Sequence, residues 1–272
     1  MSHRAVCVLA LVTSVLTPAA TGPVASAFAA ARTLHHGPDV ELAVPGAAAT
    51  ATSTNWSGIA AASLAPMFTS VRGEWVVPRV ICKAGENSYS STWAGIGIGS
   101  AADPLFQNGT GSNCVNGRPT YYAWWEEFPL NAEQRFSYPV VPGDPIRSDV
   151  IFTGGQAWLS LVDQKVVDGN ARWSTGWLKL SDSHGSHSVE CIVERPTLNK
   201  TLPALADFQR AQYQVCQDSN TSSQNGFPVI PGQPIPGAVV QAITMVNASK
   251  DALAVPSQFL VGGFRDTWLR AS

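Results

Sequence analysis

Four glutamates stand in strand-like sequence and are the side chains of this chain best suited to chemistry: Glu126, Glu127, Glu190 and Glu194. A carboxyl group with an ordinary pKa of about 4.3 takes a proton as base and returns it as acid, so it can drive hydrolysis without a cofactor. Competing arrangements are missing or weak. Gly97-Ile98-Gly99-Ser100 lacks the glycine after serine that a nucleophile elbow needs. No Asp-Thr-Gly or Asp-Ser-Gly triplet offers a pepsin-like pair of aspartates. His184 and His187 lie three apart in a Ser/Gly-rich turn with no third ligand at useful spacing, so they read as turn residues and no metal is expected. The Gly-rich stretches lack the phosphate-cradling patterns. The glutamates alone fit a glycosidase pair, a peptidase, or no chemistry at all.

Strands must hold these residues. From Asn55 onward, short β-like runs alternate with Gly, Pro, Asn and Ser. They are Gly73–Val77, Ser91–Ile98, Thr120–Phe128, Ile146–Phe152, Ala157–Val162, Trp173–Leu180, Ser188–Glu194 and Ala238–Val246. That spacing predicts an all-β antiparallel sandwich. Leu202–Val215 fits a helical period or a strand equally well, and the Pro-rich Asn225–Pro236 reads as an ordered loop or crossover.

Alternate residues of a strand share a face, so parity sorts the side chains. Val189, Cys191 and Val193 form a core stripe, which puts Glu190, Ile192 and Glu194 on the other face. Tyr122, Trp124, Glu126 and Phe128 share one face, and Trp93 shares another with Gly95 and Gly97. Aromatic rings around a carboxylate, with glycines leaving space for a ligand backbone, suggest a groove on a sheet.

Composition narrows the setting. The 272 residues carry a formal net charge of -2, which gives no electrostatic reason to expect nucleic acid or an anionic membrane. Only 13% are charged, so few carboxylates are available to unfold the chain when acid protonates them. Arg4, the apolar Ala5–Leu16 and small residues up to Ala29 read as a signal peptide over 1–29, and a secreted protein is expected. Residues 30–52 are Ala/Thr-rich and read as a mobile leader or short pro-segment before a domain over 53–272. Four cysteines follow the signal: Cys82, Cys114, Cys191 and Cys216. Sequence proximity favours the pairs Cys82–Cys114 and Cys191–Cys216. Asn55, Asn108, Asn199, Asn220 and Asn247 begin Asn-x-Ser/Thr sequons, and a glycan on Asn108 would crowd the groove.

Several segments taken in order resemble the glutamic peptidases (eqolisins), a family of acid endopeptidases. They are Asn55-Trp56-Ser57-Gly58, Trp75-Val76-Val77-Pro78, Trp93-Ala94-Gly95-Ile96, Leu105-Phe106-Gln107-Asn108-Gly109, Tyr122-Ala123-Trp124-Trp125-Glu126 and Glu190-Cys191-Ile192-Val193-Glu194-Arg195-Pro196. Leu205-Ala206-Asp207-Phe208 and Ile243-Thr244-Met245-Val246 fit later strands of the family. The resemblance implies a concanavalin-like β-sandwich of two curved antiparallel sheets. It also implies Glu194 as general base, Gln107 as its oxyanion-stabilising partner, and Trp93, Trp124 and Glu126 as substrate-binding or supporting neighbours. Polypeptide substrates, no cofactor and a monomer are the corresponding expectations. Tyr122 departs from the pattern by standing where the family has an acidic residue, and the leader is shorter than in fungal members. A carbohydrate-active sandwich, glycosidase or lectin-like, is the alternative, with Glu126 and Glu194 as its carboxylate pair.

Overall fold

Two-residue alternation governs the chain, and every regular element among the described residues is a strand. The structure, a computed structural model, describes residues 33–39, 42, 50–97, 104–165, 172–179, 186–220, 223–229, 235–257 and 263–272. They belong to one unit, Arg32–Ser272. The expected signal peptide and His184 lie outside the described residues.

One sheet runs, in spatial order, through Gln134–Arg135, Arg118–Phe128, Leu105–Val115, Ser91–Gly97, Ser188–Glu194, Trp56–Ser63 and Ala238–Val246. The other runs through Arg172–Lys179, Gln156–Asp163, Pro145–Thr153, Phe68–Val76, Arg210–Asn220 and Phe264–Trp268. Ala252–Pro256 pairs with both, joining them along one edge. Neighbours are antiparallel throughout these two series. Leu202–Val215 resolves as strand: Ala204–Leu205 and the start of Arg210–Asn220, separated by Gln209 in the left-handed region at φ 55°.

The sheets pack face to face over the expected core stripe. Val189, Cys191, Val193, Ala94, Ile96 and Phe106 are buried there, each large aliphatic or aromatic side chain contributing about 1.5–3 kcal/mol. Polar side chains tie the layers at chosen points. Trp75 Nε1 donates to Thr110 Oγ1 at 3.0 Å and Asn108 Nδ2 to the Ser160 carbonyl at 2.9 Å. The Tyr213 hydroxyl reaches the carbonyl oxygens of Trp93 and Ile192 at 2.6 and 2.9 Å, pinning the two central strands.

Both disulfides pair as proximity suggested. Cys82–Cys114 anchors a loop to the end of Leu105–Val115, and Cys191–Cys216 links the two sheets behind the Glu194 strand. Closing loops of these lengths (separations of 32 and 25 residues) contributes roughly 3–4 kcal/mol each on the chain-entropy account. The residues expected to form a mobile leader differ from that expectation where they are described. Leu34–His35 pairs with Thr197–Leu198, and Thr50–Ser53 lies parallel to Ala238–Val246. The leader has too little apolar sequence to fold alone, and the sandwich supplies the partner surface.

Candidate active site

Strand register turns shared faces into a grid. Asn116 and Gly117, at φ 52° and 74°, make the tight turn between Leu105–Val115 and Arg118–Phe128. The turn sets Gln107 opposite Glu126, Gly109 opposite Trp124 and Gly111 opposite Tyr122. Pairing across Ser91–Gly97 and Ser188–Glu194 extends each row. One row reads Glu194, Ser91, Gly111, Tyr122; the next Ile192, Trp93, Gly109, Trp124; the third Glu190, Gly95, Gln107, Glu126. Strands lie about 4.8 Å apart, so the four strands form a floor wide enough for an extended peptide.

Glycines in the grid make room for neighbouring side chains. A Cβ at Gly109 would meet Trp93 Cβ at 2.5 Å, and one at Gly111 the Tyr122 ring at 2.3 Å. Both large aromatics therefore lie across the Gln107 strand. At Gly95, expected to leave space for a ligand backbone, an added Cβ would instead meet Gln107 Cβ, Trp93 and Leu105 at 3.0–3.1 Å.

Glu194 and Gln107 converge on the same group, and that group belongs to the chain itself. Glu194 Oε2 accepts from Trp93 Nε1 at 2.8 Å and faces His36 Nδ1 at 2.9 Å. Its Oε1 accepts from Asn55 Nδ2 at 3.2 Å. Gln107 Nε2 donates to the His36 carbonyl oxygen and, at 3.3 Å, to Glu126 Oε2. Glu126 Oε2 also accepts the His36 backbone N–H at 2.8 Å, and Glu126 Oε1 faces His35 Nδ1 at 3.1 Å. The His36 ring lies flat on Trp124, with centroids 3.7 Å apart and planes within 8°. Its Nε2 faces Glu133 Oε2 at 3.1 Å. His36, Gln107, Glu126 and Glu194 are all 0% exposed, so the expected open groove is a filled one.

Burial sets the protonation states, and partners then correct them. Burial pulls the His36 imidazole down, but the charge of Glu194, hydrogen bonds to Glu133 and Glu194, and the charge of Glu126 raise it to about 10. Imidazolium with both nitrogens donating is the resulting form. Burial raises Glu194 above the usual carboxylate range, opposed by the His36 charge and by hydrogen bonds from His36 and Trp93. Burial likewise lifts Glu126 to about 8 against the pull of His36, with the charges of Glu194 and Glu133 adding to the rise. Glu133 is also pushed up by burial, but His36 and Arg135 outweigh this and hold it below its ordinary value.

Of the residues expected from sequence, Glu194, Gln107, Trp93, Glu126 and Trp124 come together here. His187 does not, its ring facing the Ser63 carbonyl. Sequence reasoning missed His36, Glu133 and the direct contact of Asn55 with Glu194. Tyr122, in place of an acid, donates its hydroxyl to Glu133 Oε2 at 2.9 Å. A loop glutamate thus places a carboxylate beside the Tyr122 hydroxyl. The sequons at Asn55 and Asn108 are closed to a glycan, because both amides are buried and engaged within the fold.

Residues 54–249 match the Peptidase A4 family. The chain belongs to that family, the eqolisins. Aspergillopepsin-2 of Aspergillus niger is 25% identical over 174 residues, 57% of this chain, and the chain spans 61% of that curated relative's length. The crystal structure of scytalido-glutamic peptidase with a transition state analog inhibitor superposes with a TM-score of 0.61 at 20% identity, over 79% of this chain and 98% of that one. Aspergilloglutamic peptidase from Aspergillus niger superposes at 0.53 and 19% identity, over 67% and 99%. These likenesses establish the eqolisin β-sandwich. The A4 match contains Trp93, Gln107, Glu126 and Glu194, whereas His36 lies before it.

Proposed function

We propose that this chain is a secreted acid endopeptidase in which Glu194 activates the attacking water and Gln107 stabilises the tetrahedral intermediate. The Glu194 carboxylate takes a proton from a bound water as the oxygen attacks the scissile carbonyl. The carboxylic acid so formed then protonates the leaving nitrogen. Gln107 Nε2 donates to the oxyanion as charge develops on it. An amide is neutral at every working pH, so this donor persists in acid. Trp93 Nε1 orients the Glu194 carboxylate, and Glu126 orients the Gln107 amide. Trp124 offers a flat apolar wall for the substrate chain.

One observation supports this reading most directly. Gln107 already donates to a peptide carbonyl, that of His36, while Glu194 meets the ring nitrogen of the same residue. The family match and the acid-tolerant composition agree with a peptidase.

The test is hydrolysis of a denatured protein in the presence of pepstatin at about pH 2–5, where a glutamate base titrates. Cleavage that falls about 10²–10³-fold in Gln107→Ala is the expected result. Polysaccharide cleavage without protein cleavage would overturn the assignment.

A further inference from the structure

The chain fills its own groove with a seven-residue stretch, residues 33–39, and the contacts are those a bound peptide would make. The Thr33 carbonyl accepts from Asn199 N–H and the Leu34 carbonyl from Glu133 N–H, both at 3.2 Å. The His36 N–H and carbonyl go to Glu126 and Gln107. The Gly37 carbonyl accepts from Asn55 Nδ2 at 2.7 Å, and the Asp39 N–H donates to Asn55 Oδ1 at 3.0 Å. At Gly37 an added Cβ would meet the Phe128 ring at 2.4 Å. Both Glu194 oxygens are engaged, one by Asn55 and the other by Trp93 and His36.

We propose that residues 33–39 are a built-in occupant of the substrate groove and that His36 is the residue locking it there, keeping the chain latent until the segment leaves. This rests on Glu194 and Gln107 being the catalytic pair. Residues 40–49 tether the segment to the strand at Thr50. A short tether of this kind gives an effective concentration on the order of millimolar, so modest intrinsic affinity suffices to exclude substrate. The lock is the His36 ring, stacked on Trp124 and held between two carboxylates on different elements. The imidazole also takes up a hydrogen-bonding position on Glu194 Oε2, at 2.9 Å.

The groups facing His36 make the lock sensitive to acid. They are His35 on its own segment, Tyr122 and Glu126 on Arg118–Phe128, Glu133 and Arg135 beyond it, and Glu194 on Ser188–Glu194. His36 titrates at about 10 when held and near 6.5 when free. Closing therefore takes up a proton between those values, and closure strengthens as the pH falls to 6.5. Below 6.5 the imidazole is charged in both states, and the carboxylates decide. Of these only Glu133 is held below its ordinary value, by His36 and Arg135, so protonating it favours release, whereas Glu194 and Glu126, raised by burial, do not drive it. Closure gained from His36 is complete by pH 6.5, and the part that rests on the Glu133 carboxylate is lost as the pH falls below 4.5 through its lowered value.

Two measurements on the full chain test this. In the first, protein kept at pH 6 is diluted to pH 4 with a fluorogenic peptide. Wild type is expected to show a lag that acid preincubation removes. His36→Ala is expected to start about a hundredfold or more faster and reach the same final rate, since two charge-assisted hydrogen bonds are lost. Equal, lag-free progress curves for both would overturn the lock. In the second, amide exchange of residues 33–39, corrected for the chemical rate, is followed at pH 6 and pH 3, with wild type compared against His36→Gln. Protection at pH 6 that is lost at pH 3 and reduced by the substitution is expected; protection unchanged by pH and by the substitution contradicts the proposal. Exchange needs no activity. If protection behaves as expected while no peptide is cleaved after acid treatment, it is the catalytic assignment that fails.

Discussion

Glu190 and Glu194 stand four residues apart on one strand, on one face, both buried, and burial pushes both upward. Their surroundings are opposite. Glu194 is met by the Trp93 indole, the Asn55 amide and the His36 imidazole. Glu190 lies beside Ala60 and Gly95, which carry no polar side chain, and among the described residues its Oε2 has no partner. Burial raises it to about 8, and a hydrogen bond from Ser188 offsets only part of that rise. A displaced titration value therefore does not distinguish a carboxylate met by donors from a stranded one. Convergence of donors from distant parts of the chain does.

The comparison can be broken at either end of the strand. The largest loss is expected at Glu194: its Gln variant should lower turnover by about 10²–10⁴, the usual contribution of a positioned general base. Trp93→Phe keeps an aromatic side chain, though a smaller one, and deletes one donor to the carboxylate, so kcat should fall about ten- to a hundredfold, with KM little changed. A change confined to KM would make Trp93 a wall of the groove and nothing more. The smallest effect belongs to Glu190→Gln, which should leave kcat/KM unchanged and alter only stability. The folded state raises the Glu190 titration, so its stabilising contribution is complete below pH 4.5 and is lost as the pH climbs through about 8. Glutamine does not titrate. Calorimetry should therefore find equal melting temperatures for variant and wild type at pH 4, and the variant higher by several degrees or more at pH 8.5.

Much of the site floor was legible because two-residue alternation is a local property. Parity alone put Trp93, Tyr122, Trp124, Glu126 and Glu194 on faces away from the core stripe of Val189, Cys191 and Val193, and all of them are placed so. It could not say which rows adjoin, because that depends on the Asn116-Gly117 turn and on pairing between strands far apart in sequence. Gln107 is an example. Nothing in its local sequence marks it, and its role came from resemblance alone. His36 was less legible still. Its stretch is Ala/Thr-rich without periodicity, and its partners lie 90, 97 and 158 residues away. Glu133 sits just before a two-residue strand, with no apolar pattern to give it a face. Residues whose placement comes wholly from another part of the chain leave no trace in their own neighbourhood.

The most direct test of the account sets Glu194→Gln beside Glu190→Gln, each as the full chain, incubated in acid and then assayed for peptide hydrolysis at about pH 4, near the ordinary carboxylate value. Background turnover in the first and wild-type turnover in the second is the expected result. Wild-type turnover in Glu194→Gln, or an equal loss in both, would contradict the assignment of Glu194 as the base.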